Sequence, residues 1–231
     1  MSRKRRKVVF VIVEGPSDET ALEHSFEAFF NPDEVMIKVV HGDMTTKIGA
    51  TSSNIIASVY NLMKDWARKY GLKPSDFLRV IHIVDTDGAY IPDALVIEDE
   101  SHKGPPLYDE KNIVASPKSK ISERNAQKRA NLDKLASTPT VWVKIPYSIY
   151  YMSCNLDHVL YGVQNSTDAD KRQNAFQFAT KYKDDLAGFM KFISNPSIAV
   201  AGNHKETWEY IRQGLNSLHR HTNLHLCFQS Q

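Results

Sequence analysis

A six-residue apolar run, Val8–Val13 (VVFVIV), limits the folds open to this chain more than any other segment. Its apolar character is continuous rather than alternating, which predicts a short strand buried on both faces, as in parallel sheets. The Glu14-Gly15-Pro16-Ser17 segment then predicts a turn, and helically spaced apolar residues from Ala21 to Phe30 predict a helix. A buried strand followed at once by a helix indicates an α/β protein.

The same alternation of strand and helix continues along the chain. Further strands are predicted at Val35–Val40, Leu78–Val84 and Thr140–Ile145, with helices at Ile55–Trp66 and Ser122–Ala136. Residues 89–120 contain four prolines and little periodicity, so we predict an irregular insertion that is less ordered than the sheet. The whole pattern predicts a three-layer α/β sandwich with a mainly parallel sheet over residues 1–164.

The remaining residues, 165–231, are predicted to form a helical C-terminal extension packed on the sheet. Their aromatic and aliphatic residues recur at helical spacing, including one long or broken helix over residues 169–193. No internal repeat is present in the sequence.

Charge and cysteine content exclude several classes of protein. The 29 basic and 27 acidic residues give a formal charge of +2, which neither requires nor excludes a polyanionic partner. A basic run at residues 3–7 either solvates the terminus or contacts phosphate. Two distant cysteines exclude a disulfide framework, and the first apolar run is too short to span a membrane. We therefore expect a soluble, cytoplasmic protein with no membrane partner.

Acidic residues follow two of the predicted strands at the point where each strand ends. Glu14 follows the first strand, and Asp85 and Asp87 follow the third. In an open parallel sheet, binding sites form beyond the carboxyl ends of the strands. Clustered carboxylates repel one another unless a cation lies between them, and oxygen ligands favour Mg²⁺ or Mn²⁺. The alternative is that Asp-Thr-Asp-Gly is ordinary turn chemistry.

The order of these motifs resembles the Toprim domain. The resemblance covers residues 7–146 and consists of a strand, Glu14-Gly15, Asp18 on a helix, and a later strand ending in Asp85-Thr86-Asp87. It implies that Glu14 is a general acid/base or a metal ligand and that Asp85 and Asp87 hold Mg²⁺ in a catalytic site for phosphodiester chemistry. Asp18 and Asp157 are further candidate metal ligands, although each is also placed to stabilise a helix N-terminus.

Basic residues in the insertion and the third helix are candidates for nucleic-acid binding. Lys118, Lys120, Arg124 and Lys128 form this set, and the alternative is a solvated helix face. A second cluster, His219, His221, His225 and Cys227, has soft to borderline ligands for zinc, but its spacing matches no usual zinc finger.

Features that this sequence lacks narrow the choice among the classes of Toprim protein. It has no GxxxxGK[ST] motif of an ATPase, no zinc module of a primase and no large domain bearing a nucleophilic tyrosine. Small standalone Toprim proteins, the RloB and OLD-like nucleases associated with phage defence, are the most similar members. We therefore expect a Mg²⁺-dependent nuclease acting on nucleic acid. Two alternatives remain open: a non-catalytic Toprim module that acts with a partner protein, and a HAD-like phosphatase.

Overall fold

A five-stranded sheet forms the centre of the computed structural model, which describes residues 6–32, 35–42 and 44–229. The strands, in chain order, are β1 (Lys7–Val13), β2 (Val35–His41), β3 (Phe77–Asp85), β4 (Val96–Glu98), β5 (Leu107–Tyr108), β6 (Ile113–Ala115), β7 (Thr140–Val141) and β8 (Ile145–Met152). The α-helices are α1 (Pro16–Phe29), α2 (Ile55–Lys69), α3 (Lys118–Ala136), α4 (Leu156–Tyr161), α5 (Asp168–Tyr182), α6 (Leu186–Ile193) and α7 (His204–Ile211). The central sheet has the order β2-β1-β3-β8-β7, and its only antiparallel pair among these strands is β7–β8.

Strand β1 is buried on both faces, as its sequence predicts. Val9 and Val11 pack in one core cluster with α1, α4, α5 and α6, whereas Phe10 and Ile12 pack in a second cluster with α2, α3 and α7. Successive side chains of a strand point to opposite faces, so a continuous apolar run can pack against the helices on both faces of the sheet. The predicted α/β class with a largely parallel sheet is confirmed.

The residues after position 164 contribute helices to both layers. The predicted boundary falls in the loop between α4 and α5. Helix α5 packs on α1, and α7 lies in the other layer through Trp208 and Ile211. The segment predicted as one long or broken helix is broken: α5 ends at Tyr182, and Asp185 caps the start of α6 by accepting a hydrogen bond from the backbone N–H of Gly188. Among the described residues, no helix combines the length and apolar character needed to cross a membrane.

The insertion at residues 89–120 is irregular over much of its length, but it contains three short strands that the sequence did not predict. Strands β4, β6 and β5 form a separate three-stranded sheet in that order. This sheet has an apolar cluster of its own, which consists of Ile91, Val96, Ile113, Ala115, Ile121 and Leu218. Its strands are only two or three residues long, so no periodicity was visible, and two of the cluster residues lie outside the insertion.

The predicted strand Thr140–Ile145 is also wrong. Residues 140–141 form β7 and Ile145 already begins β8, but between them Trp142 and Val143 adopt positive φ angles of 38° and 72°. This turn redirects the chain into β8, the actual strand beside β3. The β-branched residues of this segment favoured a strand before β8. Positive φ at residues such as Val143 is exceptional, and composition gives no sign of it, so the turn could not be predicted. Helix α3 likewise begins four residues before the predicted start, at Lys118.

Candidate functional site

The candidate site lies where the strand connections change direction. The chain leaves β1 for β2 on one side, and β3 pairs with the other side of β1. A crevice forms at such a switch point, beyond the carboxyl ends of the two strands. Glu14, Asp85 and Asp87 line one cavity here, together with Asp18, and its volume is about 780 Å³. The structure therefore brings together the acids that the sequence placed at two separate strand ends.

A buried lysine, Lys128 of α3, lies among these acids. Its side chain is 0% exposed, and its Nζ donates to Glu14 Oε1 at 3.3 Å and to Oδ2 of Asp87. Thr45 Oγ1 also donates to Glu14 Oε1, at 3.4 Å. An ammonium group without water must be compensated by opposite charge, so Lys128 fixes Glu14 relative to Asp87.

The sequence contains a signal for the burial of Lys128. The buried face of α3 consists of Ile121, Asn125, Lys128, Asn131, Leu132 and Leu135. Lys128 therefore falls within the helically spaced apolar stripe that faces the core. A lysine at such a position is expected to be paired with acids.

The acids differ in how readily they ionise. Burial raises the pKa of Asp85 well above its ordinary value, and the neighbouring carboxylates of Glu14, Asp18 and Asp87 raise it further. For Asp87, burial opposes ionisation, but the adjacent Lys128 ammonium holds the pKa below its ordinary value. Burial would lower the pKa of Lys128, but the surrounding carboxylates raise it. Asp85 accepts no hydrogen bond from the described side chains, so its charge is the least compensated of the three.

The loop that carries Asp87 is held in a strained backbone conformation. Asp87 has φ of +48°, which is uncommon for a residue with a side chain. Its backbone N–H donates to the carbonyl of Cys154 at 2.7 Å, and Arg124 Nη2 donates to its carbonyl at 2.9 Å. Thr86 Oγ1 donates to the carbonyl of Ser217 at 3.0 Å. Strain of this kind persists only where the surroundings impose it, and it concentrates at functional sites.

Gly88 gives a direct test of how tightly this loop is held. Its φ is +63°, and a Cβ there would lie 2.5 Å from Leu218 Cδ2 and 3.1 Å from Ile113 Cδ1. We expect Gly88→Ala to lower the free energy of unfolding by about 2–5 kcal/mol, from backbone strain plus overpacking. Gly49→Ala is the matched control, because Gly49 has φ of +82° with nothing within 4 Å, so only strain remains. Urea denaturation of both variants checks this, and equal losses would show that packing against Leu218 is unimportant.

The two additional acids occupy different positions. Asp18 lines the cavity, and its Oδ2 accepts a hydrogen bond from the backbone N–H of Gly15 at 2.9 Å. Burial raises the pKa of Asp18 to about 6 against the effect of that hydrogen bond. Asp157 is 4% exposed and is not among the residues that line the cavity; Asn174 Nδ2 donates to it at 3.5 Å. Asn155, rather than Asp157, caps α4.

The four basic residues predicted from sequence do not form one surface. Lys118 and Lys120 are exposed in the first turn of α3, whereas Lys128 is buried among the acids. Arg124 is half-buried and donates to Tyr108 Oη at 2.6 Å as well as to the Asp87 carbonyl. It therefore links the insertion to the acidic loop. Their role in binding nucleic acid stays a prediction, and residues 3–5 of the basic run lie outside the described residues.

Helix α5 supplies a wall of the cavity that the sequence did not predict. Helix α5 contributes Asp168, Lys171, Arg172 and Phe176 to the lining of the cavity. Helical spacing alone could suggest that 172 and 176 share a face. It could not show that this face meets the ends of β1 and β3, because that depends on how α5 packs on α1.

The acids of this cavity are of the ligand type that a hard divalent cation prefers. Carboxylate oxygens of Glu14, Asp85 and Asp87 converge on one cavity, and Asp85 is short of compensating charge. In the described part of the chain, no group of three or more His, Cys, Asp or Glu side chains is placed so that it could hold a metal ion. The Lys128 ammonium contacts both Glu14 and Asp87. The His/Cys cluster is only partly together: the rings of His219 and His221 lie 6.2 Å apart, His219 hydrogen-bonds to the Glu110 carbonyl, and Cys227 is buried in the core.

Comparisons with known proteins leave the family open. No family model matches the chain, and no curated protein or solved structure matches it either. The Toprim resemblance therefore stays a prediction that rests on the acidic motifs and their places at the strand ends.

Proposed function

We propose that this protein is a divalent-metal-dependent hydrolase of nucleic-acid phosphodiester bonds, of the Toprim type, with its site at the carboxyl ends of β1 and β3. The observation that carries the proposal is Asp85, a cavity-lining carboxylate that accepts no hydrogen bond from the described side chains and is crowded by Glu14, Asp18 and Asp87. Five acids line the cavity, and their cations are Lys171 and Arg172 in its wall and the buried Lys128 ammonium that contacts Glu14 and Asp87. A cation in the cavity would relieve that imbalance.

The residues divide the chemistry among them. A bound Mg²⁺ or Mn²⁺ would supply charge neutralisation at the phosphodiester and a lowered pKa for water. Asp85 and Asp87 are the ligands we assign to it. Glu14 is the proton acceptor we assign, and its contact with Lys128 Nζ at 3.3 Å holds the carboxylate in place. Lys128 also orients Asp87, because its ammonium contacts both acids.

Cleavage of labelled single- and double-stranded DNA and RNA tests the proposal. Wild type should cleave at least one of these in Mg²⁺ or Mn²⁺ and none in EDTA. Asp87→Ala should abolish cleavage, and Glu14→Gln, which keeps the shape but not the basicity, should lower the rate by about 10²–10⁴-fold. Glu27→Gln, an exposed acid on α1, is the matched control and should cleave like wild type. Wild-type rates in Glu14→Gln and Asp87→Ala would overturn the assignment.

A second candidate is a non-catalytic nucleic-acid-binding module. The observation that favours it is Lys128, whose ammonium already pairs with Glu14 and Asp87 as a resident counter-charge. Such a module would bind nucleic acid and, in every metal tested, leave it intact. The same assay therefore separates the two functions.

A further inference from the structure

We infer that the α5 wall of the cavity is a binding surface for single-stranded nucleic acid, with Lys171 and Arg172 on phosphates and Phe176 stacked on a base. The inference names the substrate class for the site and rests on the proposed function. Three independent features of the wall support it: its position, its unpaired charge and its exposed ring.

The position of the wall is fixed by packing. Helix α5 buries Ala175, Phe178 and Ala179 on the side that faces α1 and the core. Arg172 and Phe176 are one helical turn apart, so they share the face that lines the cavity. Because α1 begins directly after Glu14, a helix docked on α1 brings this face alongside the acids.

The charges of the wall have no partners of their own. Neither Lys171 nor Arg172 forms an ion pair with a described residue, and Arg172 is exposed. The Lys171 ammonium acts on Asp18, Asp87 and Asp157 from a distance and favours their ionised forms. Two cations beside a metal-binding carboxylate cluster can hold the phosphates that flank the bond to be cleaved.

Phe176 supplies the third feature. Its side chain is 66% exposed, and it belongs to none of the core clusters or ring pairs of the described residues. Single exposed apolar residues are common, but this ring lies in the wall of a polar cavity, one turn from Arg172. An exposed aromatic ring beside basic residues is the arrangement that stacks unpaired bases. In a duplex both faces of each base are already stacked, so the ring selects single strands.

Binding measured in EDTA tests the inference without requiring cleavage. Fluorescence anisotropy would follow labelled oligothymidylate, oligouridylate and a hairpin duplex on the full-length chain. We expect wild type to bind the single strands more tightly than the duplex. Phe176→Ala should weaken single-strand binding by about 5- to 150-fold, and Phe176→Trp should retain it. Phe176→Leu keeps apolar area without a ring and should behave like Phe176→Ala.

The charges are tested by the salt dependence of the same binding. Replacing both Lys171 and Arg172 by Gln should make the slope of log K against log salt shallower by about 1.4, from two lost phosphate contacts. Lys181 and Lys183 at the other end of α5 are exposed, so their double Gln variant is the matched control and should lose less.

The outcomes separate this inference from the proposed function. Single-strand binding that depends on Phe176, without cleavage in any metal, would support the binding surface and refute the hydrolase. Cleavage with single-strand affinity unchanged in Phe176→Ala would refute the surface and leave the hydrolase standing. Absence of single-strand binding by wild type, or tighter binding of the duplex, would also overturn the inference.

Discussion

Replacing Lys128 by Met should lower the free energy of unfolding by about 3–5 kcal/mol at pH 8 without divalent metal, because the change leaves the half-buried carboxylates of Glu14 and Asp87 without their counter-charge. Met has a similar length and leaves little cavity, so lost packing contributes little. The loss should shrink as the pH falls. Without the ammonium, the pKa of Asp87 is no longer held down, and protonation of the acids then removes their repulsion. Urea denaturation at several pH values measures both effects.

Lys134→Met is the matched control for this substitution, since Lys134 is an exposed lysine near the end of the same helix. Its variant should stay within about 0.5 kcal/mol of wild type. Saturating Mg²⁺ should recover part of the stability lost by Lys128→Met, about 2.7 kcal/mol at a hundred times the Kd. If Lys128→Met and Lys134→Met unfolded alike, Lys128 would not be the counter-charge of the acid cluster.

Replacing Asp85 by Asn should have opposite effects on stability and on activity. Cleavage should fall by about a thousandfold or more, because a bound metal contributes several kcal/mol to such reactions. Stability in the absence of metal should rise instead. The pKa of Asp85 is raised in the folded state, so the folded protein binds a proton more tightly than the unfolded chain does. The stability of wild type therefore falls as the pH rises from about 4 through that raised pKa, and the Asn variant escapes this loss.

Thermal melts between pH 4 and 8 and a cleavage assay check the two halves of this prediction. Asp65→Asn is the control, because Asp65 is exposed on α2 and pairs with Arg68 at the surface. A destabilised Asp85→Asn variant at pH 8 would mean that Asp85 is compensated by a contact that this account omits. Wild-type cleavage by Asp85→Asn would refute its role in the site.

Local sequence was sufficient for the part of the site that depends on strands. Glu14 directly follows Val8–Val13 and Asp85 is the last residue of β3, so a correct strand prediction also placed the acids at one sheet edge. The error at residues 140–145 shows the limit of this reasoning. Composition there favoured a strand, but positive φ at Trp142 and Val143 ended it after two residues.

Local sequence could not predict the contacts between distant segments. Lys128 carried a readable signal, its place in the apolar stripe of α3, but its partners lie 114 and 41 residues away. No local signal predicted the positions of Lys171, Arg172 and Phe176, since these depend on the docking of α5 against α1. The insertion likewise gained its order from Ile121 and Leu218, which lie outside it.

The claim on which this account depends is that the acids at the ends of β1 and β3 bind a divalent cation. Titration with Mn²⁺, followed by the paramagnetic resonance signal of the free ion, measures this without assuming any reaction. We expect saturable binding by wild type and by Asp65→Asn, and loss of that binding in the Asp85→Asn/Asp87→Asn double variant. Equal Mn²⁺ binding by wild type and the double variant, or no saturable binding by wild type, would contradict it.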